Sequence, residues 1–275
     1  MPVSVLYCEG NPNSPDVFVL PRVLAGLCGV KAFGSKYGMG DRILGAREGA
    51  GQVTHYGLLD GDYTAWQEPE QRPRSWKVNN GNVSVHIGWR WERKEIENYL
   101  IDPAVVERAL GGLPQHYIEA LETAASQIAS YQAARIALTL NRPRSAPLQN
   151  SFGKARGGGR HPMPEDLGRD RCLHEAKQLV HVWNSQRQIG TEALDAAFIA
   201  AETECSPDGV RGKHFMTSFA GKDLLWAMED YLKSSGFGGP TVFLERILTR
   251  LGDSTEVWDW LPEWRALREI LTAHQ

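Results

Sequence analysis

At 275 residues, with 42% apolar and 23% charged side chains, the chain has room for one large or two small globular domains with a proper core. Its net charge of −3 excludes a uniformly basic nucleic-acid coat, while leaving local patches open. Cys8, Cys28, Cys172 and Cys205 are widely spread and form no C-x-x-C pair, which argues against a zinc knuckle or a disulfide framework.

Val3 to Cys8 is a compact apolar run ending in Glu9-Gly10, as a buried parallel strand would read, with an acid at its C-terminal end. Ligands of open α/β sheets bind at that edge. Asn11 to Pro15 is a loop by its turn residues. Asp16 is placed to cap a helix from Val17 to Cys28, where Val17, Leu20, Leu24 and Leu27 recur at helical spacing. Gly29 to Phe33 predicts a second strand, Gly40 to Glu48 a short helix and Thr54 to Leu59 a third strand. This alternation predicts a parallel sheet with crossover helices.

The third strand runs directly into Asp60-Gly61-Asp62. In extended chain, residues two apart point to one side, so Asp60 and Asp62 form a same-side pair. Carboxylates held that close raise each other's pKa, and a divalent cation removes the repulsion. Mg²⁺ favours a few carboxylates completed by water. Asp62 to Asn82 is expected to be a loop, followed by a strand in which Val83, Val85, Ile87, Trp89 and Trp91 alternate with more polar residues. Glu95 and Glu97 come next, and Asp102-Pro103 has the form of a helix start. Gly111-Gly112 would stop that helix, and Tyr117 to Leu140 predicts a long one.

No acid occurs between Thr123 and Pro164, whereas Arg135, Arg142, Arg144, Lys154, Arg156 and Arg160 are basic. The centre of this run, 141–164, reads as a loop. It suits contact with a phosphate backbone through Arg142, Arg144, Lys154, Arg156 and Arg160, or a solvated linker. Helices are predicted over Leu167 to Trp183, Thr191 to Glu204 and Val242 to Leu251. Between them, Arg211 to Lys233 reads as a loop leading into a helix, and Trp258, Trp260 and Trp264 are expected in the core. Glu9, Asp60, Asp62 and Glu95 or Glu97, with Asp16 at the margin, therefore form a candidate acidic constellation. Such a set could hold two Mg²⁺ ions about 3.5–4 Å apart for phosphodiester hydrolysis.

The motifs Val-Leu-Tyr-Cys-Glu-Gly, Leu-Leu-Asp-Gly-Asp and Lys-Glu-Ile-Glu-Asn-Tyr-Leu resemble the Toprim fold of the OLD-type nucleases, and above all the DUF4435 family of bacterial defence proteins. That family includes the nuclease effector of the PARIS anti-phage system. The resemblance spans roughly 3–102 and returns at Ala220 to Leu225. It implies an α/β fold: a Toprim-like parallel sheet flanked by helices (1–105), a helical insertion carrying the basic loop (106–210) and a C-terminal part that completes the site and ends in a helical tail (211–275). It further implies Glu9 as metal ligand or acid/base group, Asp60 and Asp62 as metal ligands, and Glu97, with Glu95 beside it, as holder of a second ion. Lys222 would stabilise charge in the transition state, and Mn²⁺ could replace Mg²⁺. The aspartate that usually follows the first glutamate closely is displaced here by a Pro-rich insertion, a departure from the family pattern, so the resemblance does not assign Asp16 to that position.

The partners implied are a nucleic acid substrate (tRNA or DNA), an ABC-type ATPase subunit and a second copy in a homodimer. A non-catalytic docking subunit is the alternative. No tyrosine nucleophile in a separate domain suggests a topoisomerase, and no zinc module suggests a primase. The N-terminus lacks the basic region of a signal peptide and no apolar run approaches the about 18 residues of a membrane span, so a cytoplasmic, membrane-free protein is expected.

Overall fold

The computed structural model describes residues 3–49, 54–141, 152–156, 161–184 and 191–274. In chain order these form β1 (Val3–Glu9), α1 (Pro15–Leu24), β2 (Gly29–Gly34), α2 (Met39–Gly49), β3 (Thr54–Leu59), β4 (Arg74–Asn80) and β5 (Val83–Arg90). There follow α3 (Ile96–Leu100), α4 (Pro103–Leu110), α5 (Tyr117–Asn141), β6 (Lys154–Arg156), β7 (His161–Met163), α6 (Arg169–Asn184) and α7 (Thr191–Cys205). The C-terminal part holds α8 (Val210–Lys213), α9 (Phe215–Ser218), α10 (Gly221–Ala227), α11 (Glu229–Ser234), α12 (Pro240–Gly252) and α13 (Pro262–Ala273). The chain divides into two compact units. The first is Met1–Gly61 with Pro69–Tyr117 and Tyr231–Gln275, and the second is Asp62–Glu68 with Ile118–Asp230.

The first unit is α/β. Its five strands are ordered β2-β1-β3-β5-β4; the first four are parallel, and β4 pairs antiparallel with β5 at the edge. Alternation along the strands divides their side chains between two faces. Tyr7, Leu59 and Ile87 meet Met39 and Ile43 of α2 on one face. α1 packs along β1 and β2 and also against α12 and α13, so the C-terminal helices belong to this unit. Trp260 and Trp264 are buried.

In the second unit, residues 131–138 of α5 are buried without a break. A helix enclosed on every side is the centre of its layer, and its alanines (Ala133, Ala134 and Ala137) leave room for close neighbours. No helix among the described residues is long and apolar enough to cross a membrane.

Four details depart from the sequence reading. The first helix begins at Pro15, with Ser14 rather than Asp16 at the N-cap position, and it ends at Leu24 instead of Cys28 because Ala25 turns left-handed (φ 46°). The stretch 62–82 is not loop throughout, since β4 lies within it. Residues 141–164 contain the small hairpin β6–β7, with Lys154 opposite Met163 and Arg156 opposite His161. The stretch 211–233 is a succession of short helices, α8 to α11.

Candidate active site

In the strand order β2-β1-β3, the chain leaves β1 to one side and returns on its other side. The crevice at the C-terminal ends of β1 and β3 is thus a topological switch point, where open α/β sheets bind ligands. Glu9 ends β1, and Asp60 follows the last residue of β3. The Glu9 carboxylate accepts the backbone N–H of Asp60 at 3.0 Å, joining the two strand ends directly.

Both glycines of these motifs are sterically required. Gly10 has φ +93°, and a Cβ there would lie 2.4 Å from Ser14 Oγ. A Cβ on Gly61 would lie 2.4 Å from the Arg93 carbonyl oxygen, the same oxygen that accepts the Gly61 N–H at 3.0 Å. The segment after β5 therefore lies directly on Asp60-Gly61, aided by Trp91 N–H donating to Leu59 O at 2.9 Å. Farther along this segment Glu95 caps α3, with its N–H donating to Asn98 Oδ1 at 3.0 Å. Glu97 is buried one residue inside α3.

Electrostatics report the crowding. Asp60 is held well above the usual carboxylate range, first by loss of water and then by the like charges of Asp16, Glu9, Glu95 and Glu97. Cys8 senses the same field: burial, then Asp16 and Asp60, push its thiol up to about 12. Five carboxylates from β1, α1, the end of β3 and the start of α3 therefore share one region. Among the described residues, no three His, Cys, Asp or Glu groups converge as a ready-made metal cage. An all-oxygen set that leaves positions for water suits Mg²⁺ or Mn²⁺ better than Zn²⁺, which takes nitrogen and sulfur ligands in closed tetrahedra.

Behind this rim lies a buried polar link that sequence reasoning missed. Glu263, in the first turn of α13, accepts Glu92 N–H at 2.7 Å and Tyr99 O–H at 2.6 Å. Burial pushes the Glu263 carboxyl up to about 7. The Glu92 side chain accepts the N–H groups of Glu70 and Gln71 and pairs with Arg74 at 2.9 Å. The helical tail is thereby fastened to the segment that carries Glu95 and Glu97. An acid after Pro262 looks like an ordinary helix-start residue, and only the fold reveals its partners.

Asp62 and Lys222 belong to the second unit, where Asp62 is half-buried and Lys222 exposed. Of the basic residues proposed for nucleic acid, Lys154 and Arg156 lie on β6, while Arg142, Arg144 and Arg160 lie outside the described residues. Comparison of the chain with family models, curated proteins and solved structures gives no match.

Proposed function

We propose that the chain is a Mg²⁺-dependent nuclease of the Toprim class, a phosphodiester hydrolase acting on RNA (tRNA) or DNA. The observation that carries this reading is the gathering of Glu9, Asp16, Asp60, Glu95 and Glu97 around the switch point of a parallel sheet, with Glu9 bonded to the Asp60 backbone. Buried like charges are costly unless a cation joins them. Glu9, Asp60 and Glu97 would hold the metal, with Glu95 and Asp16 beside them. A bound divalent ion would supply Lewis acidity that polarises the phosphodiester and lowers the pKa of its water.

The chain's own residues hold the arrangement. The Asp60 N–H fixes the Glu9 carboxylate, Gly61 lets the Arg93 segment close on the end of β3, and Asn98 holds the backbone of Glu95. The sequence motifs assign Asp62 to metal binding and Lys222 to charge stabilisation. The same resemblance supports an anti-phage effector restrained by an ABC-type ATPase, working as a homodimer.

The test is cleavage of tRNA and of DNA by purified protein, with and without Mg²⁺. Loss of Mg²⁺-dependent cleavage in Glu9→Ala and Asp60→Ala is expected, and parental activity in either variant refutes the assignment. Calorimetric titration with Mg²⁺ or Mn²⁺ separates this reading from a docking subunit, which would take up no metal yet bind an ATPase subunit tightly.

A further inference from the structure

In the second unit, two residues singled out for the nuclease chemistry are each next to a residue anchored on the same side chain of α5. Tyr63, adjacent to Asp62, donates its O–H to Gln132 Oε1 at 2.7 Å. The Ala220 N–H donates to that same oxygen at 3.1 Å, and Gln132 Nε2 donates to Asp223 Oδ2 at 2.5 Å. Lys222 is thus bracketed, with Ala220 fixed before it and Asp223 after it. Arg135, one turn along α5, pairs with the same Asp223 oxygen, and its guanidinium lies over the Tyr63 ring at 5.3 Å. A second anchor holds the Asp62 segment, where Arg211 donates to Thr64 O at 2.6 Å while binding Glu204.

Every member of this network is nearly or wholly enclosed: Gln132 and Asp223 are 0% exposed, Tyr63 4% and Arg135 6%. Buried polar groups are nearly always hydrogen-bonded, and a buried network of such bonds favours one arrangement of its parts. Consecutive Cα atoms are about 3.8 Å apart, so anchoring Tyr63 and Asp223 confines the backbone of the neighbouring Asp62 and Lys222.

We propose that Gln132, with Arg135, Asp223 and Tyr63, is a positioning frame that holds the Asp62 segment and the Lys222 turn as one piece. This role in catalysis rests on the nuclease reading; the mechanical coupling can be judged without it. The experiment uses full-length Gln132→Met, which preserves side-chain length and deletes three hydrogen bonds, and the milder Tyr63→Phe, which deletes one. Amide hydrogen exchange is followed in peptides covering 62–66 and 219–225.

A single net hydrogen bond corresponds to about fivefold in an opening equilibrium. Gln132→Met should therefore accelerate both peptides by at least that factor, with α7 unchanged. Tyr63→Phe, the check should Gln132→Met not fold, should accelerate 219–225 although the change lies in the other segment. Acceleration confined to the mutated segment, or none, overturns the coupling. Where the parent cleaves nucleic acid, kcat should fall with KM held; a raised KM at parental kcat overturns the positioning role. A parent inactive on tRNA and DNA with Mg²⁺ sinks the nuclease reading, and the exchange pair still decides whether the two segments move together.

Discussion

Glu263 offers a quantitative test of how the tail is fastened to the sheet. Its carboxyl is 4% exposed and makes two hydrogen bonds, yet burial lifts it from an ordinary 4.5 to about 7. The folded protein therefore holds this proton more tightly than the unfolded chain. Stability from Glu263 is fully present below pH 4.5 and is lost as pH rises through about 7. At 1.36 kcal/mol per pH unit, the interval corresponds to about 3 kcal/mol. Glu263→Gln keeps the shape and an acceptor for Glu92 N–H but cannot ionise. Urea unfolding in metal chelator, read by tryptophan fluorescence, suits the question because Trp76, Trp89, Trp91, Trp258, Trp260 and Trp264 all lie in the first unit. Between pH 4.5 and 7.5 the parent should lose about 3 kcal/mol relative to Glu263→Gln. Other groups titrate equally in both proteins and cancel in the difference. Parallel stability curves would refute the claim that this buried acid changes its proton on unfolding.

Other consequences follow from the same geometry. Asp60→Asn removes the charge that four neighbouring carboxylates oppose, so in chelator its melting temperature should exceed the parent's. Saturating Mg²⁺ at about 100 times Kd should stabilise the parent by about 2.7 kcal/mol and Asp60→Asn by far less, measured by thermal unfolding with and without metal. Gly61→Ala would press a methyl group against the Arg93 carbonyl, 2.4 Å from the new Cβ. Mg²⁺-dependent cleavage should drop at least about tenfold while circular dichroism shows the helices retained, because a misplacement near 1 Å is enough for such a loss. Trp264, fully buried and stacked on Tyr99 at 5.9 Å, should cost about 3–5 kcal/mol on truncation to alanine, read as a fall in the urea midpoint.

The sheet and its acidic rim were legible because local signals agreed. β1 and β3 are apolar runs closed by acid and glycine, and the period-2 pattern of β5 is plain in Val83 to Trp89. β4 is hidden in the sequence because it is an edge strand. Its Arg74, Lys77, Asn79 and Asn80 are the polar residues that keep an exposed edge from pairing further, and in sequence they read as loop. The helical period continues through Leu27, but the backbone conformation at Ala25 and Gly26 ends the first helix before it.

What stayed hidden shares one physical origin. Hydrophobic periodicity is a local signal, but the satisfaction of a buried polar group is a long-range one. Tyr99 and Glu263 are 164 residues apart, as Gln132 and Asp223 are 91 apart. Gln132 sits in an Ala-rich helix where a polar side chain reads as surface, and Asp223 resembles a helix-start acid. Neither has a motif, because any spacing in the sequence can bring such partners together. The acidic rim is the intermediate case: each carboxylate was visible as the end of an element, but their convergence depended on strand order. With β1 central between β2 and β3, Glu9 and Asp60 become neighbours; an order placing β2 between them would have left two unrelated acids.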